Sequence, residues 1–402
     1  MASQEFVLSP QQLRGNIWRL SLAQALSGAN GVVIYATGAI VGYRLTPTPM
    51  LATLPITLFV LGMAVCTLPV GMIARRFGRK TAFFAGTGAG VLTGLFSALA
   101  ISIESFWLYC FADFLGGVYA AVVLTFRFAV TDGTPPEQRA RALSLVMAGG
   151  VAAGIFGPQM VNGSMHLAQP VYLATFFLQA AVAAMSALVL FGVHLPRIHA
   201  ATQAAPSRPL AEIARQPLFV TAVLAGAVSY LLMNFLMTAA PLAMHLHGHS
   251  SEAANNGLQW HVIAMYAPSF FTGRLIERFG AIRVSLFGLT LIGISAAIGL
   301  QGAEVTHFLI FLILLGLGWN FGFLGASALV LECHRPHERT KVQSLNDFII
   351  FSLMAVGSFS SGGLLNAYGW NAVLSLSFIP LAAALLALLL MARNGHSRLR
   401  LH

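Results

Sequence analysis

The chain has 402 residues, 57% of them hydrophobic and only 8% charged. A soluble globular domain carries about 25% charged residues, so a water-soluble fold is excluded. The formal net charge of +10 is spread over short loops that alternate in character along the chain, which is the pattern of a membrane protein and not of a nucleic-acid-binding patch.

Apolar runs of spanning length recur from end to end. They predict twelve helices at about 16–43, 51–74, 81–102, 106–131, 142–167, 170–193, 217–243, 256–276, 282–302, 306–331, 343–367 and 370–392. The segment before them, Met1 to Arg14, lacks the basic-then-apolar order of a cleavable signal, so the first span is expected to act as an uncleaved one. Arg75, Arg76, Arg79, Lys80, Arg139 and Arg141 share one side with Arg197, Arg208, Arg215, Arg278, Arg283, Arg335, Arg339 and Lys341. The opposite loops hold Arg44, Glu104, Glu252 and Glu304. The basic side is expected to be cytoplasmic, with both termini there, in a multi-pass protein of a bacterial inner membrane surrounded by lipid.

The longest internal polar stretch, Pro196 to Gln216, divides the chain into a six-helix half at 1–195, a linker at 196–216 and a second six-helix half at 217–402. The halves echo each other. Gly71-Met-Ile-Ala-Arg75-Arg76-Phe77-Gly78-Arg79-Lys80 follows the second span, and Gly273-Arg-Leu-Ile-Glu277-Arg278-Phe279-Gly280-Ala-Ile-Arg283 follows the eighth. Such a repeat places a substrate path between halves. In the fifth span, Gly150, Gly154, Gly157 and Pro158 read first as close helix packing with a kink.

Candidate chemistry concentrates in the seventh and eighth spans. Met233 and Met237 are four apart, as are His261 and Met265. Residues at that spacing share one helix face, about 6 Å apart along the axis. Thioether and imidazole suit a soft ion such as Cu(I). An isolated Met pair is more often packing, but a titratable ring inside a span is a functional candidate by default. His245, His247 and His249, with Met244, would gather metal at the mouth of the path or simply form a polar loop; Met160, Met165 and His166 repeat the idea more weakly, and Cys333, His334 and His337 repeat it on the basic side. Asp113, inside the fourth span, is a candidate for a coupling proton or for a structural role, while Arg127 and Asp132 read as an ion pair or as interfacial snorkelling. Cys66, Cys110 and Cys333 include no CxxC and imply no disulfide framework. No Ser/His/Asp order, phosphate loop or paired carboxylates point to an enzyme or to a bound cofactor.

The paired loops resemble the signature of the major facilitator superfamily, Gly-x-x-x-Asp-Arg/Lys-x-Gly-Arg-Arg/Lys, with Arg75 replacing the acid in the first half and Glu277 keeping it in the second. The resemblance implies an all-α polytopic fold of twelve transmembrane helices working by alternating access. Met233-x-x-x-Met237 and His261-x-x-x-Met265, with Ala264-Met265-Tyr-Ala-Pro-Ser-Phe-Phe-Thr-Gly-Arg274, resemble the CcoA-like copper transporters of that superfamily. That likeness implies copper as transported substrate, moved inward for assembly of cbb-type cytochrome c oxidase and handed to a cytoplasmic chaperone or assembly factor. Met233, Met237, His261 and Met265 would then carry the metal. Two rival readings stand beside it: a proton-coupled exporter of small organic molecules, and a membrane sensor that moves nothing.

Overall fold

The computed structural model describes residues 8–47, 51, 54–195 and 208–399, and among them all regular structure is helical. The chain divides into two compact units, Met1–Gln203 and Ala204–His402.

The first unit contains α1 (Pro10–Leu45), α2 (Leu54–Phe77), α3 (Arg79–Ser102), α4 (Phe106–Val123), the one-turn α5 (Phe126–Ala129), α6 (Arg139–Ser164) and α7 (Leu173–Phe191). Ser9 caps α1 through a reciprocal pair with Gln12, which satisfies donors that a helix start leaves open. The helices meet closely where side chains are missing. A Cβ on Gly62 or Gly117 would overlap backbone of the facing helix at the α2–α4 crossing, and one on Gly149 or Gly157 would strike Ser21 or Val32 of α1. The glycine-rich face of α6 is therefore a packing surface against α1, and the helix runs unbroken through Pro158.

One end of this unit is held by polar contacts. Arg79 Nε donates to Asp132 Oδ2 at 2.6 Å, both side chains being about 6% exposed. Lys80 Nζ donates to the Phe191 carbonyl at 2.5 Å. Asn16 both donates to the His194 carbonyl and accepts from its amide. The basic loop after α2, the turn before α6, the start of α1 and the end of α7 thus share one end. Arg127, fully buried, donates to the Leu124 carbonyl at 2.7 Å and lies over the Phe128 ring. Asp132's bond to Arg79, 53 residues away, is a partner the local spacing did not suggest.

The second unit contains α8 (Leu210–Ala214), α9 (Pro217–Leu246), α10 (Ser251–Tyr266), α11 (Ser269–Phe279), α12 (Ala281–Gly299), α13 (Val305–Glu332) and α14 (Arg339–Leu399). The eighth predicted span is broken at Pro268 into α10 and α11. The last two spans are joined through Gly369, whose φ of 78° suits a residue without Cβ. The repeat shows in the backbone as well: Gly78 (φ 92, ψ 155) and Gly280 (φ 84, ψ 150) take the same conformation at the start of α3 and α12.

Nine helices among the described residues are long and apolar enough to cross a membrane. The eighth predicted span falls outside that set because it is divided at Pro268 into two helices of 16 and 11 residues.

Most of the predicted linker, 196–207, lies outside the described residues. Its end is clamped within the second unit. Arg208 donates from Nε to Glu338 Oε1 (2.9 Å) and from its terminal nitrogen to Oε2 (2.5 Å), and its amide donates to the same carboxylate. The Arg335 amide also donates to Glu338, and Lys341 Nζ donates to the Arg208 carbonyl. With its amide oriented to satisfy both neighbours, Gln216 bridges Arg208 and the Cys333 carbonyl. The Arg208 guanidinium holds the Glu338 carboxyl down at about 2, against an ordinary value near 4.5.

This gives a signed expectation. A carboxyl with a lowered folded-state pKa stabilises fully above its ordinary value, and that stabilisation is lost as pH falls toward 2. Glu338→Gln is expected to lower the melting temperature of purified protein by several degrees, because removing one partner of a buried pair costs about 3 kcal/mol. The gap should be constant between about pH 5 and 8. The gap should narrow as pH falls from about 4.5 toward 2, and a gap that stays unchanged through that window would show a carboxyl titrating normally, without the clamp.

Candidate functional site

Within the second unit, α9, α10, α13 and α14 bring a group of aromatic rings together. The Tyr230 ring stands edge-on to Trp319 at 5.4 Å, to Phe323 at 5.0 Å and to Phe351 at 5.4 Å. Tyr266 meets Trp319 edge-on at 5.6 Å, and Trp319 stacks on Phe323 at 5.2 Å with 16° between planes. These separations are those of favourable aromatic pairs, each worth about 0.5–1.5 kcal/mol beyond its buried area. Trp319 is fully buried, while Tyr230 and Tyr266 are half-buried. Ser229 donates to the Trp319 carbonyl at 3.4 Å, fixing α9 against α13 at this level.

The break at Pro268 is held by a polar knot. Proline has no N–H, so the helix ladder is interrupted there. Asn320 of α13 supplies the missing donors: its Nδ2 reaches the Met265 carbonyl and the Ser269 hydroxyl, each at 2.6 Å. Its Oδ1 accepts from Thr272 at 2.7 Å, and the Thr272 hydroxyl also reaches the Pro268 carbonyl. Glycine at 316 lets α10 approach, since a Cβ there would crowd the His261 carbonyl and the Met265 amide. Trp319, Asn320 and Tyr266 were not singled out by sequence reading. An Asn beside a Trp in the middle of an apolar span was the available signal, because a polar amide there needs partners.

Of the predicted metal residues, His261 and Met265 share a face of α10, as their spacing requires, and both abut α13. His261 is fully buried and its Nδ1 lies 2.7 Å from the Leu312 carbonyl. A carbonyl only accepts, so Nδ1 carries the proton and Nε2, which has no partner among the described residues, is the open nitrogen. Met265 is buried. On α9, Met233 is buried and Met237, one turn on, is half-buried.

Two of the loop histidines bond backbone carbonyls, His247 staying exposed and His249 half-buried. The Nδ1 of His247 pairs with the Ala243 carbonyl, the Nε2 of His249 pairs with the Ala303 carbonyl, and both rings lie near Phe308. The side chain of His245 lies outside the described residues. Cys333 is buried and donates to the Leu329 carbonyl. Among the described residues no three His, Cys, Asp or Glu side chains gather as a metal-holding group.

In the first unit, Asp113 is 1% exposed and its Oδ2 has no hydrogen-bond partner among the described residues. It lies on α4 facing Gly38 of α1. One turn earlier, Tyr109 meets Thr37 at 3.4 Å.

Comparison with known proteins places this architecture. The profile described as Major Facilitator Superfamily matches residues 20–268 and 222–400. A Brucella anthropi protein named "Riboflavin transporter RfnT" is 45% identical over 380 residues, covering 94% of this chain and 96% of that protein. A Bacillus subtilis protein, "Uncharacterized MFS-type transporter YdeG", is 29% identical over 94% of each chain. Among solved structures, the proton:xylose symporter XylE superposes with a TM-score of 0.77 at 13% identity, covering 96% of each chain. The fucose transporter FucP, in its outward conformation, gives 0.72 at 17% identity over 94% of this chain and 99% of that one. At such identities the two structures speak for the fold alone.

These findings correct the finer part of the resemblance. The CcoA-like copper branch is not supported, nor is a link to cytochrome oxidase assembly. The likeness to that branch rested on four side chains and one short surrounding stretch, whereas a relative of nearly equal length and 45% identity is named for an organic solute. What the fold, the paired glycine turns and the whole-length profile show is coarser and firm: the chain belongs to the major facilitator superfamily.

Proposed function

We propose that this secondary transporter carries a flat heteroaromatic organic solute, with riboflavin the named candidate. The observation that carries the reading is the 45% identity, over nearly the whole chain, to a protein named a riboflavin transporter. The half-buried Tyr230 and Tyr266 beside Trp319 support it, since aromatic faces and edges suit a planar ring system. This agrees with the organic-solute alternative read from the sequence better than with copper as cargo. Asp113 is the proposed coupling carboxyl. The basic ends are proposed to be cytoplasmic, in the inner membrane.

The test is uptake of radiolabelled riboflavin and of radioactive copper, side by side, into vesicles containing the purified protein. Saturable riboflavin movement, with copper at the level of empty vesicles, is the expected result. Copper movement without riboflavin movement would overturn the proposal and return Met233, Met237, His261 and Met265 to the role of carrying the cargo.

A further inference from the structure

Among the buried donors of the second unit that have no acceptor among the described residues, two lie on α9 and α13. The indole Nε1–H of Trp319 is fully buried, and the carboxamide Nδ2 of Asn234 belongs to a residue 3% exposed. A buried donor left unmade costs about 1–3 kcal/mol; Trp319 keeps one inside the aromatic cluster, and Asn234 keeps another one helical turn from Tyr230. Their placement is set by α9 and α13, which Ser229 fixes together at Trp319. Asn234 lies one turn beyond Tyr230, and helical side chains lean toward the N-terminus, which brings its amide back toward the level of the Tyr230 ring and the indole it meets.

We infer that Trp319 and Asn234 form a two-donor reader for the ring carbonyls of a planar heteroaromatic solute. The inference rests on the proposed function and deepens it by naming what the site selects. The chemistry narrows the ligand. Donors without a formal charge do not attract a cation, and they supply no counter-charge for a carboxylate. A polyol needs acceptors as well as donors. A carbonyl-bearing ring, whose plane meets the aromatic edges of Tyr230 and Tyr266 and whose oxygens meet the two N–H groups, satisfies everything this cluster lacks.

The experiment is competition against radiolabelled riboflavin uptake in proteoliposomes. One competitor is lumiflavin, which has the same tricycle and ring carbonyls without the polyol; the other is phenazine, a tricycle with no carbonyl. In the intact protein lumiflavin should compete at least about 10-fold better, the worth of a lost buried hydrogen bond. Trp319→Phe, which keeps an aromatic ring, and Asn234→Leu, which keeps the volume, should each weaken lumiflavin about 10-fold and leave phenazine unchanged. Equal competition by both compounds in the intact protein would overturn the reader while transport of riboflavin stood, and that comparison decides even if a variant fails to reach the membrane. Variants that keep the full preference would overturn it as well. No riboflavin uptake by the intact protein would remove the proposed function and this inference together.

Discussion

Replacing Asn320 by leucine is expected to lower the melting temperature of the purified protein by on the order of 10 °C. The side chain is fully buried and completes three bonds around the Pro268 break. Leucine fills a similar volume but leaves the Met265 carbonyl and the Ser269 hydroxyl without their donor and removes one acceptor from Thr272. Each such loss costs about 1–3 kcal/mol in a site that water does not reach. The sum, about 3–9 kcal/mol, is large for a unit of this size, where each kcal/mol moves the midpoint by about 2–4 °C. Thr272→Val supplies the contrast. It removes only the hydroxyl shared between Asn320 Oδ1 and the Pro268 carbonyl, at the edge of the knot, so a smaller shift of about 2–4 °C is expected. Transport should fall with Asn320→Leu even at temperatures where the protein stays folded, because the knot sets where α10 ends and hence where Tyr266 meets Trp319. A melting curve for Asn320→Leu that overlies the unmodified one would show that the break is held by packing alone.

How far the sequence was legible follows from which signals a membrane chain preserves. Span-length apolar runs survive any packing arrangement, so helices formed where twelve were expected, including the eighth, whose break coincides with Pro268. Gly78 and Gly280 were legible too, because a tight turn between helices demands a residue without Cβ and the sequence repeats it. Of the α6 glycines read as a packing face, Gly157 meets Val32 of α1. What the sequence conceals is which apolar residues face inward. In a soluble helix, polarity marks the outer face with a 3.6-residue period; in lipid both faces are apolar and the period fades. Tyr230, Tyr266, Trp319 and Phe351 therefore looked like any other span residues until α9, α10, α13 and α14 were seen together. Arg79 with Asp132, and Arg208 with Glu338, are bonds across 53 and 130 residues, and no local pattern announces them. The soft-metal reading had a different origin. Met and His four apart are informative about a shared helix face and silent about cargo, since packing methionines adopt the same spacing.

An Asp113→Asn protein is expected to exchange its solute but not to concentrate it. The carboxyl is buried in α4 at the Gly38 face of α1, next to Ile56 of α2, with Tyr109 one turn away on its own helix. Asparagine keeps the shape and the ability to accept a hydrogen bond, so binding of the solute should persist. It cannot take up and release a proton, so a pH gradient would no longer do work on the transport cycle. One proton carried per solute across a gradient of one pH unit, worth about 1.4 kcal/mol, supports about 10-fold accumulation. Vesicles containing the intact protein should reach a ratio of that order with an imposed gradient and return to equality when the gradient is collapsed. With Asp113→Asn the ratio should stay near one in both conditions, while labelled solute still exchanges for unlabelled solute at a measurable rate. Loss of exchange together with accumulation would make Asp113 a structural residue of α4. Full accumulation by the variant would move the coupling to another group, and the open Nε2 of His261 would be the next to test by His261→Gln in the same assay.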